Sequence, residues 1–170
     1  MINTEDNFYR ITNLLEGANL IRKVQEIKAD KKILGLCSGS FDLLHPGHIT
    51  HLSSAKNFCD VLMVAIARDK RSEQLKSRKG RPIFSEQVRA YCLAQLRFVD
   101  YVLYNEDEYK TIDIIRPDFY IKGKDYLGKI DPEIDRIKDF LKERGGKIVY
   151  TTDEKLSTTQ LIDYIQHEVD

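Results

Sequence analysis

The feature of this sequence that most constrains its fold is the stretch from Cys37 to His48, where an apolar run meets a turn and a helix start. The run from Ile33 to Cys37 predicts a short buried strand. Residues 38–40 (Ser-Gly-Ser) then break the pattern, as a tight turn requires. Pro46 suits the first position of a helix, where its missing N–H would have no partner anyway, and residues 49–56 continue at helical spacing. A strand, a turn and a helix therefore follow one another here.

Two histidines, His45 and His48, stand three residues apart where this helix begins. In a parallel α/β sheet, ligands bind just beyond the carboxyl ends of the strands, and the N–H groups of a helix N-terminus favour an anion. The small residues of the turn also let a phosphate approach the backbone closely. The arrangement therefore predicts a phosphate-binding site. A surface pair is one alternative, and a metal site that includes Asp42 is another, although no cysteine or third histidine is obviously placed to complete it.

Length and composition limit the classes of protein to consider. The 170 residues suit a single domain over residues 1–170, in which residues 1–10 are expected to be loosely held. Basic and acidic residues both number 27, so the zero formal charge gives no reason to expect a nucleic acid or an anionic membrane as a partner. Three widely spaced cysteines fit reduced thiols. We find no signal peptide and no apolar run long enough for a bilayer, and therefore predict a cytoplasmic protein.

Hydrophobic periodicity predicts five β/α units. A first amphipathic helix is expected over residues 11–29. Strands are predicted at 33–37, 61–67, 101–104, 119–121 and 147–151. Helices are predicted at 46–58, 85–96, 109–115 and 132–144, and a last one opens at 157–159. Continuously apolar strands are typical of a parallel sheet covered on both faces. The fold class is therefore α/β, a single Rossmann-like doubly wound parallel five-stranded sheet, and the expected strand order is 3-2-1-4-5.

Three further stretches follow predicted strands at the same edge of the sheet. Residues 68–82 are strongly basic and are either a solvated loop or a mobile loop that folds over a triphosphate and neutralises charge on its leaving group. Lys122, Gly123 and Asp125 form either a plain turn or a nucleotide-contacting loop. Residues 157–159 (Ser-Thr-Thr) are either an ordinary N-cap or a second phosphate site at a helix N-terminus.

The segments Gly39 to Asp42 and His45 to His48 resemble the G-x-F-D-x-x-H-x-G-H signature of the cytidylyltransferase-like nucleotidyltransferases. The pattern is specific because the turn, the aspartate and both histidines must fall in register. In detail the chain most resembles the adenylyltransferase domains that make ADP-heptose from a heptose 1-phosphate. The matching stretches are Arg81-Pro82-Ile83, Val99-Asp100, Arg116-Pro117-Asp118 and Lys122 to Tyr126. The chain departs from that pattern at Lys124, which replaces a glycine, and residues 126–130 instead resemble glycerol-3-phosphate cytidylyltransferases.

The resemblance implies which residues act. The implied catalytic residues are His45, His48 and Lys76, with Lys79 as a weaker candidate in the same basic segment. The implied nucleotide-binding residues are Ser38, Gly39, Ser40, Phe41, Asp42, Gly47, Arg89, Lys122, Gly123, Asp125, Ser157, Thr158 and Thr159. The resemblance implies no metal ligand among the side chains, since Mg²⁺ would be bound mainly through the nucleotide phosphates.

The implied reaction transfers a nucleoside monophosphate from ATP to a phosphorylated sugar and releases pyrophosphate. The alternative uses CTP with glycerol 3-phosphate or another small phosphorylated alcohol. The implied partners are thus a nucleoside triphosphate and a phosphorylated small-molecule acceptor, without nucleic acid or membrane, and a homodimer is left open.

The residues themselves support this reaction class. The sequence contains no P-loop, no dinucleotide fingerprint and no evident pair of catalytic carboxylates. A phosphate monoester is largely ionised near pH 7, because its second pKa is about 6, so a phosphate nucleophile needs no general base. Transfer then requires alignment of two anions and stabilisation of the charge on the phosphates. A nucleotide-binding regulator without catalysis, and a mononucleotide-binding hydrolase or redox module, are the other classes considered.

Overall fold

The computed structural model describes residues 11–75, 81–153, 160 and 162–165, in which strands and helices alternate. The strands are β1 Leu34–Gly39, β2 Val61–Ala67, β3 Tyr101–Asn105, β4 Phe119–Lys122 and β5 Lys147–Tyr150. The helices are α1 Gly17–Ala29, α2 Pro46–Lys56, α3 Asp69–Leu75, α4 Glu86–Ala94, α5 Glu108–Ile115 and α6 Pro132–Lys142, with a short 3₁₀ turn at Lys124–Tyr126. Each predicted β/α unit within the described residues is present.

The five strands form one parallel sheet in the order β3-β2-β1-β4-β5, which confirms the predicted fold class and topology. The central strand β1 pairs with β2 from Leu34↔Val61 onward and with β4 at Leu36↔Tyr120. The chain passes from β1 to β2 and β3 on one side of β1, and then to β4 and β5 on the other side. The carboxyl end of β1 is therefore the switch point at which open α/β sheets bind ligands.

Side chains alternate across the sheet and divide the core into two layers. Leu34 and Leu36 of β1 pack in a layer with residues of α1, α5 and α6. Cys37 and Phe41 pack in the opposite layer, with residues of α2 and α4. Both faces of the sheet are thus covered, and successive residues at the end of β1 point to opposite sides.

The N-terminal region differs from the prediction of a helix over residues 11–29, because α1 begins only at Gly17. Leu14 instead forms a parallel bridge to Val102 of β3, supported by Leu15 N–H donating to the Val102 carbonyl at 2.8 Å. Glu16 is extended and Gly17 has a φ of +50°, so the helix starts after a sharp bend. The apolar spacing of residues 11–15 is used to cover the sheet edge rather than to form a helical stripe.

The basic segment also differs from a continuous loop, since α3 begins at Asp69, directly after β2. The predicted N-cap at Ser85 is confirmed: its side chain accepts a hydrogen bond from the Val88 N–H.

Within the described residues, every helix is too short or too polar to traverse a lipid bilayer.

Candidate active site

A cleft of about 740 Å³ lies over the carboxyl ends of the strands. Eleven of the residues predicted for the site line it: Ser38, Gly39, Ser40, Phe41, Asp42, His45, Gly47, His48, Lys122, Gly123 and Asp125. The structure therefore brings together the turn after β1, the start of α2 and the loop after β4. Lys76, Lys79, Ser157, Thr158 and Thr159, as well as residues 1–10, lie outside the described residues.

The two histidines form one wall of the cleft, here called the histidine wall. Their rings stack with centroids 3.8 Å apart and an interplanar angle of 27°. Burial lowers the pKa of His45 from its usual value, so its imidazole is neutral at pH 7 and offers one N–H. The Nδ1 atom of His45 is buried and has no hydrogen-bond partner among the residues that the structure describes. A polar ring atom of this kind at a ligand cleft is suited to a ligand contact.

The turn between β1 and α2 has a strained backbone. Phe41 and Leu43 both have positive φ, at 47° and 50°, and such conformations cost on the order of 1–3 kcal/mol each in residues other than glycine. A Cβ on Gly39 would lie 3.2 Å from the Phe41 ring, which explains the small residue there. The Phe41 ring is buried and contacts the His48 ring edge-on at 5.4 Å. The turn therefore supports the histidine wall through the contact of Phe41 with His48.

Asp42 holds this turn in place. Its buried carboxylate accepts hydrogen bonds from the Arg81 Nε at 2.5 Å, from the Ile83 N–H at 3.0 Å and from the Phe84 N–H at 3.2 Å. Three fixed donors on a carboxylate between two strained residues explain how the strain is maintained. In this structure the Asp42 carboxylate accepts hydrogen bonds from Arg81 and the backbone. Asp42 also borders the cleft in which it was predicted to bind nucleotide.

Arg89 on α4 lies beneath the cleft and is not among the residues that line it. Its guanidinium donates to the carbonyls of Ser40, Ala67 and Phe84 and forms an ion pair with Asp69 at 2.8 Å. The resemblance implied that Arg89 binds nucleotide. In the structure Arg89 joins the ends of β1 and β2 to the start of α4, and its contact with a nucleotide stays a prediction.

A second wall, opposite the histidine wall, was not predicted from the sequence apart from Ser38 and Lys122. We call it the β3–α5 wall and define it by six residues: Ser38, Arg71, Asn105, Glu108, Tyr120 and Lys122. Ser38 lies on the same side of β1 as Leu34 and Leu36, and Tyr120 packs in that layer with α5 and α6. All of these residues except Tyr120 border the cleft directly.

Glu108 is the centre of the β3–α5 wall. Its carboxylate accepts from the Tyr120 hydroxyl at 2.5 Å, from the Asn105 side-chain amide at 2.9 Å and from Arg71 Nη2 at 3.1 Å. Burial alone would raise the pKa of Glu108, but the charge of Lys122 and the hydrogen bonds from Tyr120 and Asn105 outweigh it and lower the pKa. Glu108 is therefore an anion at neutral pH.

The hydrogen-bond directions on this wall follow from that charge. Burial, and then the neighbouring Glu108 carboxylate, raises the pKa of Tyr120 well above its usual value, so its hydroxyl donates to Glu108. The Ser38 hydroxyl lies 2.7 Å from the Tyr120 oxygen and must then be the donor of that pair. Lys122 Nζ donates to Ser38 at 3.5 Å and lies over the Tyr120 ring at 4.5 Å. Burial lowers the pKa of Lys122, and the Glu108 charge opposes this effect.

A third set of contacts joins α2 to the end of β5. His51 Nδ1 is 2.9 Å from the Thr151 hydroxyl, and Ser54 donates to Asp153 at 2.8 Å. Burial lowers the pKa of His51, so this histidine is also neutral at pH 7. Among the described residues, no group of three His, Cys, Asp or Glu side chains is placed to hold a metal ion by itself.

The missed residues have a recognisable origin. Asn105 ends β3, and Glu108 opens the next helix. Ligand-binding residues are expected beyond the carboxyl end of the third strand as well as the first and fourth, and that position points to Asn105 and Glu108. Arg71 could not be separated in this way from the six other basic residues of its segment.

The family model described as cytidylyltransferase-like matches residues 36–163, three quarters of the chain. The chain belongs to the cytidylyltransferase-like family. The resemblance predicted from the two signature segments is therefore confirmed, and the domain is a nucleotidyltransferase of that family.

Two similar curated proteins share one name. The bifunctional protein HldE of Aliarcobacter butzleri is 41% identical over 176 residues, which cover 96% of this chain and 35% of that protein. The bifunctional protein HldE of Syntrophotalea carbinolica is 36% identical over 149 residues, covering 85% and 29%. The chain thus spans about a third of the length of these curated relatives.

Among solved structures, the fold resembles the crystal structure of the lipopolysaccharide core biosynthesis protein from Thermoplasma volcanium. The TM-score is 0.62 with 30% identity, over 73% of this chain and 99% of the other. Pantoate-β-alanine ligase from Francisella tularensis is 16% identical with a TM-score of 0.51, and it shares the fold alone. The family fold therefore matches the architecture described above.

Proposed function

We propose that this domain transfers adenylate from ATP to a heptose 1-phosphate-like sugar phosphate, giving a nucleoside diphosphate sugar and pyrophosphate. The observation that carries the proposal is the stacked His45–His48 pair at the start of α2, facing the cleft at the switch point of the sheet. The similarity to the HldE proteins over nearly the whole chain supports the choice of nucleotide and acceptor. This role belongs to carbohydrate biosynthesis in the cytoplasm.

In the proposed reaction, an oxygen of the acceptor phosphate attacks the α-phosphorus of the nucleotide. The bond from that phosphorus to the bridging oxygen breaks, and its electron pair leaves with pyrophosphate. No proton has to be removed from the nucleophile, because a phosphate monoester is ionised above its second pKa of about 6. The residues of the chain therefore act by positioning the two phosphates and by stabilising charge.

His45 and His48 are assigned to the phosphates of the nucleotide. The neutral imidazole of His45 donates a hydrogen bond without adding a charge of its own, and α2 directs the positive end of its dipole at the same place. Mg²⁺ would be held mainly by oxygens of the triphosphate, the ligand type that it prefers, and it would neutralise charge on the departing pyrophosphate.

A second candidate uses CTP with glycerol 3-phosphate or another small phosphorylated alcohol. The observation that favours it is the segment from Tyr126 to Ile130, which resembles glycerol-3-phosphate cytidylyltransferases, together with Lys124 in place of a glycine. The two candidates share the reaction and the histidine wall, and they differ in the nucleotide and the acceptor.

The test is a pyrophosphate-release assay of the purified protein with four nucleoside triphosphates, each combined with a panel of sugar and polyol phosphates. We expect turnover with ATP and a sugar 1-phosphate, and none when the acceptor is omitted. Turnover only with CTP and a polyol phosphate would replace the first candidate by the second. Release of pyrophosphate by no pair above background would refute both.

A further inference from the structure

The β3–α5 wall contains more hydrogen-bond donors than the protein uses. A guanidinium has five N–H donors, and among the described residues Arg71 uses one for Asn105 at 3.1 Å and one for Glu108 at 3.1 Å. An ammonium has three donors, and within the same described residues Lys122 makes a single hydrogen bond, the long contact to Ser38. Several N–H groups of two cations are therefore available at the cleft.

The acceptors on this wall are already occupied. The Glu108 carboxylate receives three hydrogen bonds, and the Asn105 carbonyl oxygen receives one from Arg71 and one from Thr111 at 3.0 Å. Among the six residues of the wall one carboxylate is set against two cations, and the charge of Asp125 at the edge of the cleft also acts on Lys122. A neutral polyol needs acceptors as well as donors, whereas an anion needs donors alone. The surplus of hydrogen-bond donors over unoccupied acceptors on this wall therefore favours an anion.

The position of the wall separates this anion from the triphosphate. The histidine wall is built on α2, which packs on one face of the sheet, whereas Glu108 opens α5 on the other face. The end of β1 lies between them. An anion bound by Arg71 and Lys122 would therefore approach the nucleotide phosphates from across the cleft, which is the arrangement that an in-line transfer between two phosphates requires.

We propose that Arg71 and Lys122 form a binding subsite for the phosphate monoester of the acceptor. The inference rests on the proposed function, and it assigns Lys122 to the acceptor although the sequence predicted a nucleotide contact. Asn105 and Glu108 fix the Arg71 guanidinium, since they occupy both of its Nη groups from the end of β3 and the start of α5. The phosphate oxygen held by the remaining donors is the nucleophile that forms the new bond to the α-phosphorus.

The kinetic test uses Arg71→Gln and Lys122→Met, with KM measured separately for the acceptor and the nucleotide. We expect the acceptor KM to rise at least about tenfold in each variant, because a charge-assisted hydrogen bond is worth that much, while the nucleotide KM stays near the wild-type value. Lys147→Met is the matched control, since Lys147 also lies over an aromatic ring, 5.2 Å from Phe119, but at the amino end of its strand. An equal rise in both KM values, or a rise in the nucleotide KM alone, would overturn the proposal.

A binding test separates this subsite from the proposed reaction. Inorganic phosphate is titrated into ¹⁵N-labelled protein, and the shifts of backbone amides locate its sites by NMR. We expect one responding group at residues 45–49 and another at 68–72 and 105–109, with the second group lost in Arg71→Gln and kept in His48→Gln. A response of both groups without turnover on any substrate pair would refute the proposed function and leave the subsite standing. A response confined to residues 45–49 in the wild type would refute the subsite.

Discussion

At the scale of single residues, His45 and His48 differ more than their shared motif implies. His45 is 5% exposed, whereas His48 is half-buried. Replacing His45 therefore removes packing as well as a hydrogen-bond donor. His48 is the better residue for testing the chemistry of the histidine wall, because its loss disturbs the core less.

We predict that His48→Ala lowers kcat by about 10²–10³, the cost of removing one preorganised donor worth about 2.7–4 kcal/mol. Its melting temperature should stay close to that of the wild type. Thr50→Ala is the control on the same helix: its side chain is exposed and bonds the Pro46 carbonyl outside the cleft. Steady-state kinetics and thermal unfolding of both variants give the comparison. A stable His48→Ala enzyme with wild-type turnover would remove the catalytic role.

Glu108 should contribute stability that depends on pH. Its pKa is lowered in the folded protein from about 4.3 in an unfolded chain. A group with a depressed folded pKa stabilises the fold above the unfolded pKa, and that stabilisation is lost as the pH falls through the folded pKa. We therefore predict that the difference in unfolding free energy between the wild type and Glu108→Gln is largest near pH 7 and shrinks below about pH 4.3. Urea unfolding across that range measures it, and a constant difference would contradict the assignment.

At the scale of elements, the sequence predicted strands more reliably than helix ends. Continuous apolar runs such as Val61 to Ala67 have few alternatives inside a buried sheet, and β2 was predicted to the residue. The start of α1 was wrong because residues 11–15 satisfy a helical spacing and are nevertheless paired with β3. A local pattern does not contain that long-range pairing.

The site was predicted in the same uneven way. The residues of the signature segments, except Pro46, line the cleft because the motif lies within one strand, one turn and one helix start, whose geometry is local. The β3–α5 wall joins Arg71, Glu108 and Lys122 from three separate strand ends, and only the sheet order brings them together. At Arg89 the motif indicated the position but not the direction of the side chain, and its contact with a nucleotide stays a prediction.

Arg89 provides an element-scale prediction. Its buried guanidinium joins the ends of β1 and β2 to α4, and removing one partner of a buried ion pair costs about 3–5 kcal/mol. We predict that Arg89→Lys is clearly destabilised, because an ammonium cannot reach four acceptors in a planar fork, and that its nucleotide KM changes little. Arg97→Lys, exposed just beyond the same helix, is the control. Normal stability with a raised nucleotide KM would contradict this expectation and support the nucleotide-binding role that the resemblance implied.

At the scale of the whole molecule, the histidine wall and the β3–α5 wall lie on opposite faces of the sheet. Alternate side chains at the end of β1 point to opposite layers, and each layer ends in a different set of polar residues. The quaternary state is a separate question, and a homodimer stays a prediction of the sequence. Ligand binding to either wall should stabilise the entire fold, because a ligand that binds only the folded state shifts the unfolding equilibrium towards it.

We predict that ATP raises the melting temperature more than CTP at equal concentration. A ligand at about a hundredfold excess over its Kd adds about 2.7 kcal/mol to the stability of the folded state, which corresponds to roughly 5–10 °C for a domain of this size. A thermal-shift series with both nucleotides and Mg²⁺ makes the measurement, with GTP and UTP as further references. A larger shift with CTP would favour the glycerol 3-phosphate alternative.

The histidine wall comes from one segment, which follows β1, whereas Arg71 follows β2, Asn105 ends β3 and Glu108 opens α5. Substitutions of Arg71, Asn105 and Glu108 leave the turn after β1 and its strained residues untouched, whereas Asp69 must be kept because it pairs with Arg89. After a gene duplication, daughter proteins can therefore diverge in the molecule that they modify and still inherit the same transfer chemistry. An engineer seeking a new product would exchange Arg71, Asn105 and Glu108 first.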